Sequence, residues 1–282
     1  MPDAPLTLRF DDLRTRHAAI LFDAYGVLID ADGALPGAVA AIASLSRRGQ
    51  PFLVVTNDAS RSPENAAARL QRLNFEIGPA QILSSGMLIA PALTETLHRG
   101  DRVVVLGTQD SAQYARAAGV QVVNASLAHQ ADAVVVADEG GFELLDTLDE
   151  VLSMLVTALQ SGKSPRLLLA NPDLIYPAGP GQFGVTAGSL ALVLEHSLRR
   201  IIGPTAPVFE PLGKPAARIF REAIARVGTS DAVMIGDQLE TDIMGAKSAG
   251  LAAALMLGGV TSLDTALAAG TDAPTYIMRS LE

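Results

Sequence analysis

An α/β fold, with parallel sheets covered by helices on both faces, is predicted by three observations. Short apolar runs alternate with Ala- and Leu-rich segments, those segments are long enough to act as crossovers between parallel strands, and glycines stand where such helices must stop. In chain order the strand candidates are Ala19–Phe22, Phe52–Thr56, Arg102–Leu106, Ala133–Ala137, Arg166–Ala170, Ala232–Ile235 and Ala252–Met256. Each is a short apolar run of the kind a sheet buried on both sides requires. Between them lie the helix candidates Pro36–Arg48, Ser62–Leu73, Gln109–Ala118, Glu143–Gln160 and Lys214–Val227, with Gly49, Gly119 and Gly228 as stops. Loops rich in Gly and Pro are expected at Tyr176–Gly184 and Gly203–Gly213, the second as a domain junction.

Composition limits the function. The chain has 282 residues, 49% of them hydrophobic, which supports one large or two moderate domains. A net charge of -9 lacks the electrostatic footprint of a nucleic-acid or anionic-membrane binder, so the expected partner is a small molecule. No apolar run has the length of a membrane span, and the first residues (MPDAPLTLRFDDLRTRH) lack a secretory apolar stretch, so a cytoplasmic location is expected. The absence of Cys excludes disulfides, thiolate metal sites and a cysteine nucleophile. His17, His98, His129 and His196 are scattered without metal-ligand spacing and read as ordinary surface or half-buried residues.

The chemistry-bearing residues fall at strand ends. Asp23 follows AILF, Thr56 and Asn57 follow FLVV, and Asp237 follows AVMIG, which places all of them at the carboxyl edge of one parallel sheet, where open α/β sheets bind ligands. Lys214 opens a helix and Asp242 begins another after the Gly236–Thr241 loop. Singly, each has a structural reading: Asp23 as a turn acid, Thr56-Asn57-Asp58 as a capping turn, Asp242 as a helix N-terminal acid. Together they can share a hard divalent cation such as Mg2+ and hold a phosphoryl group. Thr56 and nearby N–H groups would take its oxygens and Lys214 would balance charge, while Asp23 attacks phosphorus to give an aspartyl-phosphate.

The segments FDAYGVL, VVTND, GKP and GDQLETD, in that order, resemble the four motifs of the haloacid dehalogenase-like (HAD) hydrolases across essentially the whole chain. The insertion between VVTND and GKP, carrying ANPDLIYP at Ala170–Pro177, resembles the α/β cap of the class IIA members, among them NagD-type and pyridoxal-phosphate phosphatases. The resemblance implies a Rossmann-like core over 1–87 and 196–282 with a cap over 88–195. It further implies Asp23 as nucleophile, Thr56 and Lys214 on the phosphate, and Asp237 and Asp242 at the Mg2+ site with the Tyr25 backbone carbonyl. Within the cap, Asn171 and Asp173 are candidates for substrate contact alongside Asn57, with an Asn-Pro-Asp turn as their structural reading. Tyr176 and the Gly179–Gly184 loop are candidates to line the crevice, and the Ala-rich cap is a candidate homodimer surface.

Tyr25 departs from the pattern. Most phosphatases of this superfamily carry a second Asp two residues after the nucleophile, as general acid and base. A phenol with an unperturbed pKa near about 10 exchanges protons poorly at neutral pH, and general acid–base help is typically about 10²–10⁴-fold. The expected activity is therefore a slow Mg2+-dependent phosphatase of a small phosphorylated metabolite such as a sugar phosphate or nucleotide. FDAYG also resembles the first motif of L-2-haloacid dehalogenases, whose halide leaves without a proton, so a dehalogenase is the alternative. A catalytically impaired phosphometabolite-binding protein is the third reading.

Overall fold

The computed structural model describes residues 5–127, 131–179 and 182–282. His129 and residues 180–181 of the crevice loop lie outside this set. Two parallel sheets organise the chain. The larger has seven strands, β1 (Leu6–Thr7), β2 (Ala19–Phe22), β3 (Phe52–Thr56), β4 (Ile82–Ser84), β12 (Ala232–Gly236), β13 (Ala252–Met256) and β14 (Tyr276–Met278), in the spatial order β1-β14-β13-β12-β2-β3-β4. The smaller is inserted between β4 and β12 and contains β5 (Arg102–Leu106), β6 (Gln121–Val122), β7 (Ala133–Val136), β8 (Arg166–Leu169) and β11 (Glu210–Pro211), in the order β11-β8-β7-β5-β6. This is the α/β architecture that the alternating apolar runs predict, with all seven of those runs in strands.

The strands are apolar on both faces because both faces are covered. Ile20 and Phe22 of β2 pack with Ile42 and Leu45 of the helix Ala38–Arg48, while Ala19 and Leu21 face a second layer that continues through Ile89 and Leu93 to Val103, Val135 and Leu168 of the smaller sheet. A third cluster lies on the far side of that sheet, where Val134 and Leu167 meet the helices Leu144–Gln160 and Ala187–Ile202. Gly49 and Gly228 end their helices in the left-handed conformation, at φ 64° and 74°, which glycine adopts without a Cβ penalty.

Several local features differ from the sequence reading. Tyr176–Gly184, expected as a loop, supplies a two-stranded antiparallel hairpin of β9 (Ile175–Gly179) and β10 (Gln182–Val185), since Pro177 and Gly184 can pair at a sheet with no central neighbour. Lys214 lies ahead of its helix, which begins at Ala217. Asp242 sits inside a single π-helical turn, Leu239–Ile243, rather than at a helix start. The expected cap limit at Glu195 falls inside the helix Ala187–Ile202, and the smaller sheet takes its last strand from Glu210–Pro211. That strand pairs with β8 and delivers the chain back to the larger sheet at Gly213 and Lys214.

Candidate active site

Parallel pairing sets the geometry of the site. β2 lies between β3 and β12, so Asp23, Thr56 and Asp237 leave neighbouring strands at the same edge. The Asp23 N–H donates to the carbonyl of Ile235 at 2.8 Å, fixing the start of its loop against β12. Two residues past Tyr25 the chain has turned, and Gly26 makes the turn at φ 78°. A Cβ on Gly26 would stand 2.4 Å from an Asp237 carboxylate oxygen, so only glycine admits both the conformation and the close approach.

The expected lysine joins these acids. Lys214 Nζ donates to Asp23 Oδ1 and to Asp242 Oδ1, each at 2.7 Å, and all three side chains are buried. Burial and the neighbouring charges of Asp242 and Asp237 outweigh Lys214 to hold the Asp23 carboxyl well above its ordinary pKa. For Lys214, burial opposes the ammonium, but the charges of Asp23 and Asp242 prevail and raise its pKa. Asp237 is pushed up to about 7 by burial and by the Asp242 charge.

Carboxylate oxygens of Asp23, Asp237 and Asp242 lie within 4.8 Å of one another. One lysine cannot balance three buried acids at such spacing. Asp237 Oδ2 accepts the Val260 N–H at 2.9 Å, whereas Asp237 Oδ1 is buried with no hydrogen-bond partner among the described residues. An orphaned carboxylate oxygen facing two further carboxylates is costly unless a cation completes the set. The donor set, all hard oxygen, fits Mg2+.

Asn57 holds the lysine in place. Its Oδ1 accepts the Lys214 N–H at 2.7 Å, and its Nδ2 donates to the Lys214 carbonyl and to Asp173 Oδ1, each at 3.0 Å. The buried amide thereby spends both N–H donors and one Oδ1 lone pair on protein groups, and it also lines the cavity beside Asp23. Thr56 is half-buried, and its Oγ1 accepts the Asp58 N–H at 3.1 Å while its hydroxyl faces the cavity. Asn171 Oδ1 accepts the Asp173 N–H at 3.1 Å, the Asn-Pro-Asp turn of its structural reading. Burial raises the Asp173 carboxyl pKa against the pull of Lys214 and Asn57.

A cavity of about 410 Å3 opens beside Asp23, and Tyr25, Thr56, Asn57, Asn171, Asp173 and Tyr176 are in its wall. Sequence reasoning missed other wall residues: Asp58 and Arg61 after β3, Arg69 on the helix Pro63–Gln71, and Asp138 and Glu139 after β7. The strand-end rule that found Asp23 would have found Asp138, which follows the apolar run AVVVA. Arg69 carries no such signal, because a helical arginine reads as a solvated face. Its guanidinium lies 5.2 Å from the centroid of the Tyr25 ring and donates a hydrogen bond to the phenol oxygen.

Comparison with known proteins gives concordant results. Residues 20–121 match a family described as haloacid dehalogenase-like hydrolase, and residues 211–282 match a second HAD hydrolase-like family. The chain is 33% identical over 260 residues to the D-glycerol 3-phosphate phosphatase of Mycobacterium tuberculosis, covering 90% of this chain and 69% of that protein. Its fold superposes with a TM-score of 0.85 on a possible sugar phosphatase of the HAD superfamily from Cytophaga hutchinsonii, at 30% identity and 99% coverage of both chains. A glycerol phosphate phosphatase from M. tuberculosis, solved in complex with magnesium, superposes with a TM-score of 0.78 at 30% identity, covering 95% of this chain and 76% of that one.

Proposed function

This chain belongs to the haloacid dehalogenase-like hydrolases, with the inserted α/β cap of class IIA, and on that premise we propose that it is a Mg2+-dependent phosphatase of small phosphorylated metabolites, acting through an aspartyl-phosphate at Asp23. One observation carries the reading. Asp23, Lys214, Asp237 and Asp242, drawn from three distant stretches of chain, meet beside a cavity of metabolite size with one carboxylate oxygen left unpartnered. The names of the relatives, phosphatases of glycerol phosphate and of sugars, agree with it.

Asp23, Asp237, Asp242 and the Tyr25 carbonyl would hold Mg2+, which when bound supplies positive charge against the acids and the substrate phosphate. Lys214 fixes Asp23 through Oδ1, leaving Oδ2 to attack phosphorus. As the Oδ2–P bond forms, the bond from phosphorus to the leaving oxygen breaks. Thr56 and the N–H groups after β3 bind the equatorial oxygens, and Asn57 keeps Lys214 in register. Water then attacks phosphorus and releases Asp23. The leaving oxygen draws its proton from solvent, because a carboxylic acid is replaced by the Tyr25 phenol. At about 1.4 kcal/mol per decade, losing a general acid raises the barrier by roughly 3–5 kcal/mol for a poor leaving group.

The reading predicts Mg2+-dependent hydrolysis of an aryl phosphate well ahead of an alkyl phosphate. Purified protein assayed on p-nitrophenyl phosphate and glycerol phosphate, with and without Mg2+, tests it. Metal-independent halide release from 2-chloropropionate would replace it with the dehalogenase, and saturable binding of phosphate esters without turnover would replace it with a binding protein.

A further inference from the structure

The guanidinium of Arg69 is an unbalanced cation in the wall of the same cavity as Asp23. Arg61 nearby is paired with Asp58 at 2.7 Å, and the other paired arginines have carboxylate partners, but Arg69 enters no ion pair among the described residues. Its polar partner is the Tyr25 hydroxyl, which uses one of five N–H donors and offers no charge in return. The guanidinium carbon lies over the Tyr25 ring at 5.2 Å from its centroid, the bond to the hydroxyl ties it there, and the half-buried setting limits what water can supply. A fixed, planar, under-used guanidinium is the group that best receives a second planar anion in bidentate fashion.

Position within the cavity says which part of a ligand it would meet. If the phosphoryl group sits at Asp23 and Thr56, the rest of the ligand occupies the same cavity, whose wall includes Tyr25 and Arg69. Besides Asp23, four acids line this cavity: Asp58 after β3 of the larger sheet, and Asp138, Glu139 and Asp173 after β7 and β8 of the inserted sheet. Asp58 is spent on Arg61 and Ser60, and burial raises the carboxyl pKa of Asp138, Glu139 and Asp173. Arginine stays charged throughout.

We infer that Arg69, braced by Tyr25, is a specificity residue that selects ligands carrying a second anionic group, a carboxylate or a further phosphate, beside the phosphoryl group. This rests on the phosphatase reading only for the placement of the phosphoryl group, so the test separates the two. In the Asp23→Asn protein with Mg2+, where turnover is blocked, isothermal titration compares phosphoglycolate with 2-hydroxyethyl phosphate, which carries an uncharged hydroxymethyl group in place of the carboxylate. Phosphoglycolate is expected to bind about tenfold more tightly. Arg69→Met in that background brings the two affinities together, and Arg69→Lys keeps part of the difference. Equal affinities before any change at Arg69 overturn the inference, as does a preference that survives Arg69→Met. Tight, Arg69-dependent binding of phosphoglycolate by a wild-type protein that turns over no phosphate ester would uphold the inference while the phosphatase reading fails. Hydrolysis by wild type with equal binding in the variant gives the opposite result.

Discussion

Asp23 and Lys214 form a buried pair in which neither charge survives removal of the other without cost, since a stranded buried charge is expensive. Asp23→Asn keeps the shape and removes the proposed nucleophile, and phosphatase activity should fall below detection while the folded state persists by circular dichroism. Tyr25 stands where the motif resemblance of FDAYG leads one to expect a second Asp. Tyr25→Asp should raise kcat on an alkyl phosphate by about 10²-fold and change an aryl phosphate little, because the recovered acid matters only for a poor leaving group. Steady-state kinetics on the two esters checks this, and an equal change in both would show that Tyr25 acts through packing. Asp23, Thr56, Asp237 and Lys214 were legible because each follows an apolar strand or a Gly-Pro junction. Arg69 and the orphaned Asp237 Oδ1 were not, because pairing and its absence are properties of the folded chain.

At the level of elements, the strands were readable because burial on both faces leaves continuous apolar runs. The short edge strands Leu6–Thr7, Gln121–Val122 and Glu210–Pro211 gave no such signal, since each is two residues long and pairs at a sheet margin. The hairpin of β9 and β10 was hidden by its glycines and prolines. Asn57 shows how a loop can be set by long-range partners: it ties β3 to the returning chain at Lys214, 157 residues away. Asn57→Ala leaves the Lys214 N–H and carbonyl buried without partners and should cost about 1–3 kcal/mol in a denaturant titration, with a drop in kcat as Lys214 loses its register. Tyr114, on the helix Gln109–Arg116, donates to the Arg61 carbonyl at 2.8 Å, and burial pushes its pKa up to about 12. An unfolded tyrosine ionises near about 10, so this group's contribution is complete below that pH and is lost as pH rises toward about 12. Tyr114→Phe should flatten that part of the alkaline decline in melting temperature relative to wild type.

Over the whole molecule, the inserted sheet is fastened to the loop that follows β3. Thr108 Oγ1 donates to the Ser60 carbonyl at 2.6 Å and Ser111 Oγ to the Ala59 carbonyl at 2.8 Å, while Asp110 Oδ2 accepts the Ser62 N–H at 2.8 Å. The loop carrying Thr56 and Asn57 is therefore positioned from both sheets at once, which neither half of the sequence announces alone. The three-acid cluster at the edge of the larger sheet is self-repelling unless a cation meets its charge. Adding Mg2+ to chelator-treated protein should raise the melting temperature, by an amount equivalent to about 2.7 kcal/mol at a hundred times Kd. Asp237→Asn should abolish that rise. The central claim, that Asp23 carries the phosphoryl group, is tested most directly by acid-quenching a reaction with 32P-labelled p-nitrophenyl phosphate and Mg2+ and mapping the labelled peptide. Label on the peptide containing Asp23, lost in Asp23→Asn, is the predicted result; phosphate release with no labelled protein at any quench time, or label on another residue, would contradict it.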